Sequence, residues 1–107
     1  MAFSDVVAMM KEQVDKADPE KIKGVNATFQ FELSGDDEGT FHLNVADGKV
    51  DLVEDSHDNP NVTIMMDSAD FKSMLEGELN ATSAFMSGKL KVKGDMSLAM
   101  KLQALVS

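Results

Sequence analysis

Residues 88–106 have the sequence GKLKVKGDMSLAMKLQALV, in which a strand pattern is followed directly by a helix pattern. Leu90 and Val92 alternate with lysines, which is typical of a strand with one buried and one solvated face. Gly94 ends this strand, and Asp95 supplies a carboxylate that can cap the first turn of a helix. We therefore predict an edge-type strand that leads into a C-terminal helix.

The predicted C-terminal helix is apolar over an unusually large part of its circumference. Its apolar side chains cover an arc of about 220°, whereas a helix that lies on a core needs about 100°. Ser97 and Lys101 keep the clearly polar sector, and Gln103 falls inside the arc, where its amide needs a hydrogen-bond partner. The excess apolar surface must meet another helix, a second subunit or a ligand. A sandwiched core helix, with Gln103 bonded to backbone, is the alternative that needs no ligand.

Length and composition limit the class of protein. A chain of 107 residues predicts one domain, residues 1–107, that is large enough to fold unaided. The sequence contains no cysteine, which excludes disulfides, thiolate metal sites and cysteine nucleophiles. It shows neither a long apolar run nor a secretory leader, so we expect a cytoplasmic protein.

The charge is strongly acidic and unevenly distributed. The net charge of −9 and the absence of arginine argue against a nucleic-acid partner, because phosphate contacts need dense basic side chains. Residues 1–88 carry a net charge of −12, whereas residues 89–107 carry +3. Lys89, Lys91 and Lys93 can make transient contact with an anionic membrane, at about 1 kcal/mol per lysine. A solvated strand face is the simpler interpretation of the same residues.

A high methionine content is the other unusual feature of the composition, with nine methionines in the chain. Six of them lie between residues 65 and 100. Methionine fills irregular space and tolerates varied neighbours, so this clustering fits either a plain core or the wall of a binding site.

The remaining elements follow from periodicity. Apolar residues recur at helical spacing over 3–14 and alternate with polar ones over 26–54, where Asp47-Gly48 predicts a two-residue hairpin turn. The apolar run 62–66 predicts a central strand that is buried on both faces. Two short helices separate it from the strand at Leu90. We predict an α+β fold: helices cover one face of a five-stranded mixed sheet, made of a three-strand antiparallel meander and two further strands.

Catalytic residues are not evident. His42 is expected on the solvated face of a strand, and His57 lies in a polar loop beside Asp55 and Asp58. Two histidines without cysteine make no recognisable metal set, and no glycine-rich phosphate loop precedes a helix. We therefore expect no catalytic site, no metal and no cofactor.

Three segments carry a resemblance to a known family: VTIMMDSADF (62–71), EGELN (76–80) and SAFMSGKLKVKGDMSLAMKLQ (83–103). They resemble the sterol carrier protein 2, or nonspecific lipid-transfer, family in order and spacing. The part from 88 to 103 is the most specific, whereas residues 1–60 match in pattern more than in identity.

The resemblance implies a five-stranded sheet covered by helices, with an apolar tunnel that accepts fatty acids, fatty acyl-CoA, phospholipids or sterols. It implies no catalytic residues. The family's peroxisomal members end in a targeting tripeptide that the final residues LVS do not match, which keeps the cytoplasmic expectation. The positions that this resemblance and the wide apolar helix place in the ligand site are Phe71, Met74, Leu75, Phe85, Met86, Met96, Met100, Leu102 and Gln103.

Two other functions fit the residues less directly. A structural or interaction module would cover the wide face of the last helix with a partner or with a second copy, as a homodimer. A hydrolase or thioesterase would use His57 with Asp58. A lipid or acyl-chain ligand accounts for both the helix and the methionines, so lipid binding or transfer is the function that we predict.

Overall fold

A computed structural model describes residues 3–16, 20 and 23–106, except for the side chains of 102–106. The elements follow one another in the order that periodicity predicted. They are α1 Phe3–Lys16, β1 Ala27–Ser34, β2 Gly39–Ala46, β3 Lys49–Val53, β4 Val62–Asp67, α2 Ser68–Leu75, α3 Ala81–Met86, β5 Leu90–Gly94 and α4 Met96–Val106.

The five strands form one mixed sheet in the order β3-β2-β1-β4-β5. Strands β1 and β4 pair in parallel, and the other neighbouring pairs are antiparallel. Strand β5 therefore lies at an edge and β4 lies inside the sheet, as predicted. The meander β1–β2–β3 turns at Asp47 and Gly48, whose φ angles of 54° and 75° are both positive, as a two-residue hairpin turn requires.

One face of the sheet is covered by the helices and holds the core. Phe31 and Phe41 stack there with ring centroids 4.8 Å apart, and Phe71 of α2 lies 5.5 Å from Phe31. Helix α1 buries Val6 and Met10 completely in the same layer. The core lies on this face because every second side chain along each strand points towards the helices, and those side chains are the apolar ones.

The opposite face of the sheet differs from the prediction at two points. In β4, the side chain of Ile64 is buried on the helix side, but Met65 on the other side is only partly buried. Burial on both faces therefore does not extend along the whole strand. His42 was expected in solvent and is only 6% exposed.

The burial of His42 results from the chain that joins β3 to β4, residues 54–61, which we call the strap. Nδ1 of His42 donates to the carbonyl oxygen of Asp55 at 2.7 Å. The backbone N–H of His57 donates to Oε1 of Gln30, also at 2.7 Å. Since β3 and β4 are separated by β2 and β1 in the sheet, the connection has to cross both strands, and it covers their polar side chains on the way.

Candidate functional site

An apolar pocket of about 240 Å³ lies on the helix-covered face of the sheet, at the end where β5 forms the edge. Among the described residues of its lining, Thr82 is the only one with a polar side chain. Such a pocket favours an aliphatic or other apolar group, because an unpaired charge would lose its hydration there. The lining residues are Phe31, Ile64, Met74, Ala81, Thr82, Phe85, Leu90, Val92, Met96, Ala99 and Met100.

The floor of the pocket is built by strand alternation. Leu90 and Val92 point to the helix side of β5, and Val92 stands opposite Ile64 of β4 in the antiparallel register. Phe31 stands next to Ile64 across the parallel pair of β1 and β4. The alternating pattern that identified the strands therefore also supplies the floor.

The helices that form the walls begin at side-chain caps, of which the one at Asp95 was predicted above. The side chain of Asn80 accepts hydrogen bonds from the N–H groups of residues 82 and 83, and so begins α3. The side chain of Asp95 accepts from the N–H of Ser97 at 2.9 Å, and so begins α4. Asp67 caps α2 in the same manner. These caps fix the residue at which each helix begins.

An ion pair also connects helix α2 to the turn between β1 and β2. Nζ of Lys72 lies 2.7 Å from Oδ2 of Asp37, whose side chain is only 5% exposed. The hydrogen bond to Asp37 raises the pKa of Lys72 above its usual value. The N–H of Asp37 donates in turn to Oγ of Ser68 at the start of α2. This contact anchors the helix that carries Met74 to the β1–β2 turn.

Four exposed apolar side chains on α3 and α4, of which three line the outer part of the pocket, form what we call the rim: Phe85, Met86, Met96 and Met100. Met86 and Met100 are 81% and 71% exposed, and Phe85 and Met96 are about half exposed. Phe85, Met96 and Met100 also line the pocket. Large apolar side chains are seldom left so accessible without a partner. The pocket is therefore open to solvent on the side of the rim.

The structure brings part of the predicted site together. Met74, Phe85, Met96 and Met100 line one pocket. Phe71 is fully buried in the aromatic core, Leu75 is partly buried against that core, and Met86 lies on the rim but outside the lining. The side chains of Leu102 and Gln103 lie outside the described residues.

Sequence reasoning did not place seven of the described lining residues in the site. The alternating pattern already put Phe31, Leu90 and Val92 on the buried face, so the missing information was which part of that face stays unfilled. The small side chains offered no signal of their own, because an alanine in a lining and an alanine in a core look alike in sequence. The seven residues are Phe31, Ile64, Ala81, Thr82, Leu90, Val92 and Ala99.

The two histidines do not contribute to this pocket. Their rings lie 5.2 Å apart, and the contacts of His42 and of the His57 backbone are with the strap and with Gln30, on the opposite face of the sheet. Nδ1 of His57 accepts the N–H of Asn59 at 3.1 Å. In the described part of the chain, no group of three or more metal-binding side chains comes together. None of the helices in the described ranges is both long and apolar enough to cross a bilayer.

Known proteins with a similar sequence identify the family to which this fold and pocket correspond. A model described as the SCP-2 sterol transfer family matches residues 8–107. Hydroxysteroid dehydrogenase-like protein 2 of Bos taurus is 43% identical over 95 residues, which are 87% of this chain and 22% of that protein. The chain thus spans about a fifth of the length of the curated relatives that it matches.

Solved structures show the same fold. The sterol carrier protein domain 2 of Helicoverpa armigera is 28% identical with a TM-score of 0.73, over 95% of this chain and 82% of that chain. Palmitated SCP2L2 from Aedes aegypti is 23% identical with a TM-score of 0.77, over 99% of this chain and 95% of that chain. These similarities confirm the predicted five-stranded sheet with helices and the resemblance on which the tunnel hypothesis was based.

Proposed function

Because the chain belongs to the SCP-2 sterol transfer family, we propose that the pocket between α3, α4 and the sheet binds a lipid and releases it elsewhere. Lipid binding and transfer, in general terms, is the function of this family. One observation supports the use of this particular pocket: its described lining is apolar except for Thr82, and Met96 and Met100, which are 46% and 71% exposed, stand at its outer side.

The proposed ligand enters with its aliphatic part first. Each buried CH₂ group contributes about 0.8 kcal/mol, so micromolar binding, about 8.2 kcal/mol, needs a chain with about ten buried carbons. None of the lining side chains that the structure describes carries a charge that would compensate a buried carboxylate or phosphate, so the polar end stays at the mouth. Gln103 as a partner of that polar end stays a prediction.

The size of the pocket predicts how the ligand is accommodated. Pockets for small molecules usually measure about 300–1,000 Å³, and this one has about 240 Å³. A fatty acid, a fatty acyl-CoA, a phospholipid or a sterol-like ligand therefore requires the rim side chains to swing outward. Methionine changes rotamer at low cost, and a wall that adapts in this way selects poorly among lipids. We therefore propose broad rather than narrow ligand specificity.

We propose a binding function and not a catalytic one. Phe85, Met96 and Met100 surround the pocket with groups that have no acid–base chemistry, while His42 and His57 lie on the opposite face. The dehydrogenase-like name belongs to relatives about four times as long as this chain. The single-domain organisation and a cytoplasmic location stay predictions of the sequence.

A second candidate function is an interaction module that dimerises or docks on a partner through α4. The 71% exposure of Met100 favours it, because a partner surface would cover that side chain. Sedimentation of the purified protein separates the two functions. A tight dimer that binds no lipid would support the interaction module.

Displacement of a fluorescent fatty acid from the purified protein, without vesicles, tests lipid binding. Met100→Asp places a carboxylate at an exposed position in the lining, so the fold tolerates it but the ligand does not. We expect at least about tenfold weaker binding. Val53→Asp, at an exposed apolar position on β3, is the control and should bind like wild type. The absence of saturable binding by the wild-type protein would refute the proposal.

A further inference from the structure

The sulfur chemistry of this chain depends on methionine alone. The sequence has nine methionines but no cysteine, tryptophan or tyrosine. Oxidation converts the apolar methionine thioether into a sulfoxide, which is polar. Because the sequence offers no thiol, the response of this protein to a mild peroxide treatment is a response of its methionines.

The methionines differ greatly in their access to water. Among those that the structure describes, Met86, Met96 and Met100 are exposed, and all three belong to the rim. Met10 and Met74, in contrast, are at most 2% exposed and lie within the core. A dissolved peroxide reaches a sulfur atom through water, so the rim methionines should react first.

Two of these exposed methionines belong to the pocket. Met96 and Met100 are four residues apart on α4, which places them one turn apart on the same side of the helix, and both line the pocket. Met86 of α3 lies outside the lining. Oxidation of Met96 and Met100 therefore changes the wall that an aliphatic ligand would touch, whereas oxidation of Met86 changes only the surface.

We propose that Met96 and Met100 form a reversible sulfoxidation site, and that their oxidation by a hydroperoxide weakens lipid binding in the pocket. This inference rests on the proposed function, because it concerns the regulation of the same pocket. It requires that the two side chains are accessible to water and line the ligand site at the same time, and both conditions are met.

The chemical step needs only the thioether and hydrogen peroxide. A lone pair of the methionine sulfur attacks one peroxide oxygen, so that an S–O bond forms and the O–O bond breaks. The sulfur loses two electrons, the peroxide gains them, and the proton of the transferred oxygen leaves with the departing hydroxide as water. Methionine sulfoxide reductases reverse the change, with one enzyme for each sulfoxide epimer. In that direction, a dithiol supplies two electrons and two protons, and the oxygen leaves as water.

The expected loss of affinity follows from the hydration of the sulfoxide. In the empty pocket, water at the open rim can solvate the S–O group. A bound aliphatic chain displaces that water, and among the described lining residues only Thr82 has a polar side chain. A polar group that loses its hydration without a new hydrogen bond costs binding free energy, so we expect about tenfold weaker binding after oxidation.

Peptide mass spectrometry after limited treatment with hydrogen peroxide tests which methionines react. Without ligand, we expect the sulfoxide at Met86, Met96 and Met100 well before Met10 or Met74. Saturating palmitate, which has no double bond for the peroxide to attack, should cover Met96 and Met100 and slow their oxidation. Met86 is the control in the same sample, because it is exposed but outside the lining, and its rate should not change.

Displacement of the fluorescent fatty acid, before and after the peroxide treatment, tests the effect on affinity. The double variant Met96→Leu with Met100→Leu keeps a similar volume at both positions but offers no sulfur there. Each protein is compared with its own untreated sample. We expect wild type and Met86→Leu to lose about tenfold in affinity and the double variant to lose none. Treatment with both reductases should restore the affinity of oxidised wild type.

The outcomes separate this inference from the proposed function. The inference is overturned if the double variant loses as much affinity as wild type, if Met86→Leu prevents the loss, or if palmitate leaves the oxidation of Met96 and Met100 unchanged. Full affinity in a wild-type sample with sulfoxide at both positions would also overturn it, while lipid binding itself would stand. An untreated wild-type protein that binds no fatty acid would refute the proposed function and this inference with it.

Discussion

Filling the pocket from its own wall should stabilise the protein and abolish much of its lipid binding. Ala99 is half-buried on α4 and lines the pocket. Ala99→Leu adds three carbon atoms directed into a space of about 240 Å³. Leucine is also a good helix former, so the backbone of α4 should not resist the change.

The expected changes in unfolding free energy and in ligand affinity follow from the burial of those three carbons. At about 0.8 kcal/mol per CH₂, three carbons are worth about 2.4 kcal/mol when fully buried. Because the exposed rim leaves the pocket open to water, we expect about half of this, roughly 1 kcal/mol, as a gain in unfolding free energy. For a domain of this size that raises the unfolding temperature by about 5 °C. A ligand that loses three buried carbons should bind about 50-fold more weakly.

Thermal unfolding and fluorescent fatty-acid displacement are measured on the same samples of wild type and Ala99→Leu. Ala69→Leu, at an exposed position in α2, is the matched control and should leave both quantities nearly unchanged. A lower unfolding temperature for Ala99→Leu would mean that the space is already filled. Unchanged lipid affinity would mean that lipids bind elsewhere. Either result would refute the reasoning.

Three further changes test other parts of the structure. Asp37→Asn should cost about 1.5–3 kcal/mol in unfolding free energy, because it weakens the 2.7 Å contact with Lys72. Urea titration measures this cost. Since the pKa of Lys72 is raised above 10.5, the stabilisation by the ion pair should be complete below about pH 10.5 and decline as the pH rises through the raised pKa. Stability equal to that of wild type would contradict the role of this anchor. Gly94→Ala should cost about 2–4 kcal/mol, because Gly94 has φ +109° and a Cβ would collide with the carbonyl oxygen of Asn61. A soluble variant with wild-type stability would show that this backbone can relax. His57→Ala should leave fatty-acid affinity unchanged in the displacement assay, and a tenfold loss would place that face of the sheet in the binding site.

Local features were predictable because they depend on neighbours in sequence. The carboxylate or amide at Asp67, Asn80 and Asp95 caps a helix through N–H groups two or three residues away. The hairpin at Asp47 needs only a residue pair that tolerates positive φ. The order of the elements follows from such signals and from the alternation of apolar side chains, so the fold class was accessible without a structure.

The surplus of apolar surface on the last helix was also visible in the sequence. Met96 and Met100 are 46% and 71% exposed, although Leu98 of the same helix is partly buried against the core. The width of an apolar arc depends only on the helical period, so it can be measured on the sequence. Which part of the arc the rest of the chain covers depends on where α4 crosses the sheet.

The amino-acid sequence by itself determined the elements, their caps and the alternation that gives the sheet one apolar face. Only the tertiary structure decided that Phe71 fills the core beside Phe31 while Phe85 remains at the rim. It also decided that the strap buries His42 on the face away from the pocket. The reason is physical: caps and periodicity act over a few residues, whereas a cavity is the space left between segments far apart in the chain. Its position depends on how closely all of them pack.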